Sequence, residues 1–203
     1  MTTRLLTLRA AVEARGETIK GARFVATAAP LDMNDAALQS KAVIAAARGE
    51  HRDAVHHGWA YRVGPLHADF RWSDDGEPVG AAGQPILRRI DALAVLNVVV
   101  VVSRWGGGQR LSASDLAKGY GEAARAALTA AELIEFVPRT RVALSFDYVH
   151  SGPVQGVLAS FHAEHVAADY GEVVQLVVHV ASDRATLLID ALADATAGAV
   201  RAQ

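Results

Sequence analysis

The sequence predicts an α+β protein made of two domains. Strand-like runs, in which apolar and polar residues alternate, are separated along the chain by helix-like runs. The pattern restarts after Pro138, where a second series of strands and helices begins. A hydrophobic fraction of 51% over 203 residues is enough for a packed core in each part. We therefore expect one domain at residues 1–138 and another at residues 139–203.

The first domain opens with two strand-like runs, at residues 5–12 and 18–29, separated by a short turn. Two such runs joined so closely predict a hairpin. Apolar residues at helical spacing then predict a helix over residues 34–48. Asp32 is expected to cap the start of this helix, and Gly49 is expected to stop it.

The rest of the first domain alternates between short strands, helices and one irregular stretch. The glycines and prolines of residues 76–85 exclude a regular helix or strand there. The remaining predicted elements are strands at residues 57–63, 68–72 and 97–103, a short helix at residues 86–93 with Pro85 near its first turn, and a long alanine-rich helix that is capped by Ser112 or Ser114 and ends near Ala131.

The second domain has its own order of elements. The sequence predicts strands at residues 140–148, 166–170 and 173–181, a helix at residues 153–165, and a helix that Asp183 caps and that ends near residue 197. This β-α-β-β-α order fits a ferredoxin-like sandwich, in which both helices cover one face of an antiparallel sheet.

Composition excludes several classes of protein. The chain has no cysteine, which excludes disulfides, thiolate catalysis and cysteine-ligated zinc. The longest apolar run, residues 98–102, is far shorter than the ~20 residues of a membrane span. The N-terminal residues also lack the apolar core of a signal peptide. We therefore expect a cytoplasmic protein with no membrane partner.

The charge balance gives only weak support to nucleic-acid binding. The net charge is −2: residues 1–138 carry 16 basic and 15 acidic side chains, and residues 139–203 carry 4 and 7. Nucleic-acid-binding proteins usually present a basic surface, so this signal is weak in the first domain and absent from the second. A local basic groove is still compatible with these numbers, because net charge does not describe how charges are arranged.

Four segments of unusual composition occur in a fixed order. They are Ile-Lys-Gly-Ala-Arg-Phe-Val-Ala at residues 19–26, His-His-Gly-Trp-Ala-Tyr-Arg at residues 56–62, Ser-Asp-Asp-Gly-Glu-Pro at residues 73–78 followed by Ala-Gly-Gln-Pro-Ile-Leu at residues 82–87, and the strand and glycines of residues 97–108. In order and spacing, residues 17–130 resemble the YigZ/IMPACT family (UPF0029-type proteins). The remaining chain resembles the small second domain of bacterial members.

This resemblance implies a first domain similar to the second domain of ribosomal protein S5 and a second domain similar to the last domain of elongation factor G. Eukaryotic members of the family regulate translation through proteins that control an initiation-factor kinase, whereas bacterial members have no firmly established activity. Three positions of the most distinctive segment depart from the family pattern: Val79, Ala81 and Gln84 replace a small hydroxyl residue, a second hydroxyl residue and a lysine. These replacements remove polar groups from that segment. Outside this segment, Gly106 replaces an aromatic residue, and residues 112–115 replace a glycine-rich stretch.

Asp74, Asp75 and Glu77 form an acidic cluster around a glycine in that segment. Three carboxylates on one turn could hold Mg²⁺ and, with His56, support a metal-assisted hydrolase. The alternative is a structural turn, in which the aspartates accept backbone N–H bonds and the glycine supplies an unusual dihedral angle. The helix start near Gly83 could also bind phosphate through free backbone N–H groups.

Arg62, Arg71, Arg104 and Lys118, with the aromatic ring of Trp105, are candidates for a cationic and aromatic groove. Basic side chains neutralise phosphates, and aromatic faces stack on bases. We therefore expect a non-enzymatic protein that binds RNA or a translation-associated protein and modulates translation or a stress response. The alternatives are the hydrolase at the acidic cluster and a protein-interaction module without nucleic-acid binding. No motif predicts a cofactor, and no residue is assigned as a metal ligand.

Overall fold

The computed structural model of the chain describes residues 5–33, 35–64, 69–106 and 110–202. The chain divides into two compact units, residues 1–136 and residues 137–203, and each unit has its own sheet, helices and core. Within these described ranges, none of the helices is both long enough and apolar enough to cross a membrane.

The first unit is built on a five-stranded antiparallel sheet. Its five strands are β2 (Val12–Arg15), β3 (Arg23–Pro30), β4 (His56–Arg62), β5 (Phe70–Ser73) and β6 (Val98–Trp105). A separate two-stranded ladder consists of β1 (Leu6–Leu8) and β7 (Leu133–Glu135). The spatial order in the large sheet is β2-β3-β6-β4-β5, so the valine-rich β6 lies at the centre. The short strands β1 and β7 pair with each other in antiparallel orientation.

Helices cover both faces of the large sheet. They are α1 (Ala36–Glu50), α2 (Gly83–Ala92) and α3 (Ala113–Ala130). Val99 and Val101 of β6 belong to the core beneath α1. Val100 and Val102 belong to the core beneath α2 and α3. Because successive residues of a strand point to opposite faces, the valine run of β6 is buried on both sides.

The strand predicted at residues 5–12 is wrong as a single element. The structure divides this region into β1 and β2, and residues 13–15 of the turn expected at residues 13–16 lie in β2. β2 pairs with β3, from Val12 opposite Ala28 to Arg15 opposite Val25, whereas β1 pairs with β7. Sequence alternation reports which side chains are buried, but it cannot show where a strand changes its partner.

The helix predicted at residues 34–48 begins and ends two residues later in the structure, as α1. Its N-cap residue is Asp35, while the backbone N–H of Asp32 donates to the side-chain oxygen of Gln39 at 2.8 Å. Gly49 lies inside the last turn and does not stop the helix. A glycine within a helix costs only about 1 kcal/mol relative to alanine. Burial of one face of α1 is sufficient to offset this.

The strands predicted at residues 57–63 and 97–103 are confirmed as β4 and β6, with β6 two residues longer at its end. β5 begins at Phe70, and residue 68 of the corresponding prediction lies outside the described residues. α2 begins at Gly83, so the end of the stretch expected to be irregular is helical. The side chain of Asp74, which accepts the N–H groups of Ala82 and Gly83, explains why the helix starts here.

The long helix α3 begins at the predicted cap. The hydroxyl of Ser112 accepts the backbone N–H of Asp115 at 3.2 Å, and the Asp115 carboxylate accepts the backbone N–H of Ser112 at 2.9 Å. These reciprocal bonds form a capping box and satisfy two N–H groups that would otherwise lack partners. The strand β7 that follows α3 is too short, at three residues, to give a periodic signal.

The second unit has one four-stranded antiparallel sheet and two helices. In chain order its elements are β8 (Arg139–Phe146), α4 (Ser151–Ser160), β9 (Glu164–Tyr170), β10 (Val174–Ala181), α5 (Ala185–Thr196) and β11 (Arg201–Ala202), with a short 3₁₀ turn before each helix. The spatial order of the strands is β11-β8-β10-β9. The side chains buried between the helices and one face of the sheet include Leu144, Leu158, Leu176, Leu188 and Leu192.

The helix predicted at residues 153–165 is too long at its C-terminal end, since α4 ends at Ser160. His162 has a φ of 52°, in the left-handed region, and Glu164 already pairs with His179 of β10. Pairing with β10 therefore converts the end of the predicted helix into the start of β9. Local helical spacing cannot reveal this competition with a strand partner.

Two further differences concern the end of the chain. The N-cap residue of α5 is Arg184, so Asp183, which was expected to cap the helix, lies in the preceding 3₁₀ turn. The strand β11 is not predicted because two residues are too few to show alternation. Its position beside β8 is fixed by the pairing of Arg201 with Ser145.

Two helical glycines allow a matched test of the packing around α3. A Cβ at Gly119 would lie 2.3 Å from the ring of Phe24, which is fully buried. A Cβ at Gly49 in α1 would have no neighbour within 4 Å. We expect Gly119→Ala to lower the free energy of unfolding by about 1–3 kcal/mol through overpacking. We expect Gly49→Ala to leave it unchanged or to raise it by up to about 1 kcal/mol. Urea unfolding of both variants measures the difference, and equal stabilities would contradict the packing described.

Candidate functional site

The loop between β5 and α2, here called the acidic loop (residues 74–82), is held together by the carboxylate of Asp74. Its Oδ2 accepts the N–H of Gly80 at 2.8 Å, and its Oδ1 accepts the N–H groups of Ala82 and Gly83, each at 2.9 Å. A Cβ at Gly83 would lie 2.9 Å from backbone atoms of β5, so only glycine fits at this close approach. The Asp74 side chain therefore fixes the start of α2.

Asp75 joins the acidic loop to β4 and α1. Its φ of 48° and the φ of 86° at Gly76 make a tight turn in the left-handed region. One carboxylate oxygen accepts the backbone N–H of His57 at 2.7 Å, and the other pairs with the guanidinium of Arg48. The backbone oxygen of Asp75 lies 2.6 Å from Nδ1 of His56. Since a carbonyl can only accept, this Nδ1 carries the proton.

Glu77 is a buried carboxylate of the acidic loop. Its Oε1 accepts hydrogen bonds from Nε of Arg104 at 2.5 Å and from the hydroxyl of Tyr120 at 2.7 Å. The side chains of Glu77 and Arg104 are only 4% and 11% exposed. Burial opposes the charge of Arg104, but the Glu77 carboxylate outweighs it and holds the Arg104 pKa above its usual value. Burial, with the same carboxylate, raises the pKa of Tyr120.

The three carboxylates of the acidic loop thus face three separate sets of donors and do not converge on one point. In the described ranges, His, Asp and Glu side chains do bring three ligand atoms within 4.8 Å of one another at one place in this unit. That place is not the acidic loop. The N–H groups of Ala82 and Gly83 at the start of α2 already bond Asp74 and are not free to bind phosphate. These contacts agree with the interpretation of the acidic cluster as a structural turn.

The four basic residues predicted to line a groove each have an acidic neighbour. The carboxylate partners are Asp91 for Arg62 at 2.9 Å, Asp69 for Arg71 at 3.9 Å, Glu77 for Arg104 at 2.5 Å and Glu17 for Lys118 at 3.3 Å. Arg62 and Arg71 also point to opposite faces of the sheet, because Arg71 lies opposite Tyr61, the neighbour of Arg62 in β4. The structure therefore does not gather these side chains into one cationic surface.

Trp105, the aromatic candidate for the groove, is half-buried at the end of β6. The guanidinium of Arg23 lies 4.0 Å from the centroid of the indole, and the ring of His51 meets it edge-on at 5.1 Å. The indole also lowers the pKa of the Asp53 carboxyl, although its buried Nε1 makes no bond of good geometry within the described residues. Arg23 stands opposite Trp105 in the β3–β6 ladder, a pairing that the sequence does not reveal.

A second buried polar pair lies on the α1 side of the sheet. Nδ1 of His57 is 2.9 Å from the hydroxyl of Ser103, and the two residues are 7% and 1% exposed. Burial is the main cause that lowers the pKa of His57. Because solvent and substrate have almost no access to this pair, it does not resemble an active nucleophile and base.

Two contributors to the acidic loop carry no signal in the local sequence. Arg48 reaches Asp75 from 27 positions away in the chain, and Tyr120 reaches Glu77 from 43 positions away. Neither strand alternation nor helical spacing along the chain connects these residues with the loop. Within β4, Trp59 and Tyr61 lie two residues apart and therefore share a face, where their rings stack with a centroid distance of 6.1 Å.

The tip of the acidic loop is its exposed part. Val79 is 94% exposed, and Gln84 is also exposed, whereas Ala81 is only 2% exposed. Of these three departures from the family pattern, those at Val79 and Gln84 therefore change the surface, and that at Ala81 changes the interior. The loop presents an apolar side chain outward from a base that internal hydrogen bonds fix.

Removal of the Asp74 carboxylate tests its structural role. We expect Asp74→Ala to lower the free energy of unfolding by about 3 kcal/mol, because three backbone N–H groups lose a charged acceptor. Asp35→Ala is the matched control, since Asp35 makes no side-chain cap bond to α1, and we expect a change within about 0.5 kcal/mol. Denaturant unfolding measures both. Wild-type stability of Asp74→Ala would mean that this carboxylate is available for another role.

The phenol of Tyr120 predicts a pH dependence of stability. Its folded-state pKa is raised above the unfolded value of about 10, so the stabilisation is fully present below pH ~10 and is lost as the pH rises further. We expect Tyr120→Phe to cost about 1 kcal/mol at pH 8. The gap between Tyr120→Phe and the wild type should narrow above pH ~10. Urea unfolding across this range measures the gap, and a constant gap would contradict the assignment.

Comparison with known proteins assigns both units. The model of the Impact N-terminal domain matches residues 20–128, and that of a domain of unknown function, DUF1949, matches residues 144–199. The chain is 39% identical over 146 residues to the "IMPACT family member in pol 5'region" of Thermus thermophilus, covering 72% of this chain and 76% of that protein. It is 30% identical over 187 residues to the IMPACT family member YigZ of Escherichia coli strain K12, covering 91% and 90%.

A solved structure agrees with these sequence matches. The crystal structure of a hypothetical protein, 29% identical in sequence, superposes on this chain with a TM-score of 0.76 and covers 100% of this chain and 97% of that one. The fold is therefore shared along the whole chain, and the distinctive acidic loop lies within the matched first domain. The chain belongs to the IMPACT family.

Proposed function

We propose that this chain is a non-enzymatic cytoplasmic binding protein, whose acidic loop docks on a translation-associated protein and thereby modulates translation or a stress response. Membership of the IMPACT family supports a role in translation, since the eukaryotic relatives regulate it. We also propose that the first unit is similar to the second domain of ribosomal protein S5 and the second unit to the last domain of elongation factor G. The strand order β11-β8-β10-β9 supports the latter.

The observation that carries this proposal is the exposure of Val79 on a loop that is fixed from within. Val79 is 94% exposed, while the carboxylate of Asp74 holds three N–H groups at the base of the loop. A binding surface that is already ordered loses little conformational entropy on association. An apolar side chain held outward in this way suits the apolar centre of a protein interface.

The alternative of a metal-assisted hydrolase receives less support from the same loop. Catalysis by a carboxylate requires a free oxygen within hydrogen-bond reach of a substrate. Asp74 and Asp75 each use both carboxylate oxygens for internal bonds, and Glu77 is 4% exposed. The loop therefore resembles a rigid frame more closely than an acid–base centre.

RNA binding is a second candidate, and its support lies in the second unit. Arg141 and Arg201 line a concavity of about 390 Å³ on the sheet face that is opposite the helices, together with Ser145 and Gln175. In the described part of this unit, neither arginine has a carboxylate within salt-bridge distance. These two cations are available to phosphates, in contrast to the paired ones of the first unit.

A pull-down from native cytosol with the tagged full-length chain tests both candidates. We expect a translation-associated protein to be recovered with the wild type, with and without nuclease treatment, and to be lost with Val79→Asp. Arg141→Glu is the matched control and should still recover the protein. Both substitutions are at exposed positions, so thermal unfolding should confirm that each variant is folded.

Recovery that requires intact RNA and that is lost with Arg141→Glu would favour the RNA candidate. Recovery that neither substitution changes would count against both surfaces. A catalytic role would require an activity that Asp74→Asn abolishes in protein of unchanged stability.

A further inference from the structure

Three side chains of metal-ligating type meet at one edge of the five-stranded sheet, away from the acidic loop. Glu13 lies in β2, the edge strand, Glu50 is the last residue of α1, and His51 is the C-cap residue of that helix. One ligand atom from each lies within 4.8 Å of the other two. Nε2 of His51 is 3.1 Å from Oε2 of Glu13. The sheet edge and the helix end therefore bring two carboxylates and an imidazole together.

The charge at this point is not balanced by basic side chains. In the described ranges, no lysine or arginine lies within salt-bridge distance of Glu13 or Glu50. The two arginines nearby in the chain are engaged elsewhere, since Arg48 pairs with Asp75 and Arg52 donates to the Gly49 carbonyl at 3.1 Å. Two carboxylates held close together repel each other unless a cation lies between them. The negative end of the α1 dipole adds to the attraction for a cation.

The imidazole is already held in position. The side chain of His51 is only 17% exposed, and its ring packs edge-on against Trp105 with a centroid distance of 5.1 Å. The backbone N–H of His51 donates to the Ala47 carbonyl at 3.0 Å. The backbone bond holds the main chain of His51, and packing against Trp105 limits the direction of its ring, so the imidazole loses little entropy on coordination.

We propose that Glu13, Glu50 and His51 bind one zinc ion. Zinc takes imidazole nitrogen and carboxylate oxygen at about 2.0–2.2 Å, so tetrahedral ligand atoms lie about 3.4 Å apart. The exposed glutamate side chains reach this spacing by small rotations, and water fills the fourth position. The imidazole favours zinc over magnesium, which prefers oxygen ligands. The ion links the edge strand β2 to the end of α1 and stabilises the first unit when bound. This proposal does not depend on the function of the acidic loop.

Calorimetric titration of the chelator-treated full-length chain with zinc chloride tests the proposal. We expect one zinc ion per chain and a higher Tm with zinc than without it. Glu50→Gln removes one ligand and should weaken binding by about tenfold or more. Glu172→Gln is the matched control, because it removes the same charge from an exposed position of the second unit, and it should bind like the wild type.

Cobalt(II), used in place of zinc, locates the ion independently. We expect cobalt to quench tryptophan fluorescence in the wild type and in Glu172→Gln, and to lose this effect in Trp105→Phe and Glu50→Gln. Zinc affinity that is equal in Glu50→Gln and the wild type would overturn the proposal. The absence of one-to-one binding at about 100 µM zinc would do so as well.

Discussion

The buried carboxylate of Glu77 is the point on which the first unit depends. It binds the guanidinium of Arg104 from the central strand β6 and the phenol of Tyr120 from α3. A charge buried to this extent is tolerated only when partners surround it, and removal of one partner of such a pair typically costs about 3–5 kcal/mol. Oε1 of Glu77 therefore links the acidic loop both to the central strand β6 and to the helix α3.

This dependence changes how the acidic loop is to be understood. Carboxylates grouped on a glycine turn suggest a metal or acid–base centre, but here each faces a different structural partner. Asp74 holds the start of α2, Asp75 joins β4 and α1, and Glu77 joins β6 and α3. The loop is thus an organising frame for the fold. Its capacity for function lies in what it presents outward, chiefly Val79 at its tip.

Pairing with opposite charge also accounts for the positions of the basic residues of the first unit. Arg62, Arg104 and Lys118 each lie beside a carboxylate, which agrees with the near-neutral charge of this part of the chain. Substitution of Arg104 by an acidic residue would place two carboxylates together in the interior. Such a variant would lose stability, so a loss of RNA binding in it would not identify a binding surface. Among the described residues, Glu13 and Glu50 have no lysine or arginine within salt-bridge distance, and Arg141 and Arg201 on the open face of the second unit have no carboxylate within that distance.

The sequence by itself determined the family, through segments of unusual composition, together with the α+β class, the capped helix α3 and the strands β4 and β6. These features follow from local spacing and composition, which depend on neighbours along the chain. Tertiary structure alone decided the division of residues 5–15 between two partner strands and the conversion of residues 164–165 from helix to strand. It also decided the partners of every carboxylate in the acidic loop. Contacts between residues 27 or 43 positions apart leave no periodic trace, so only the folded chain reveals that the acidic cluster is satisfied from within.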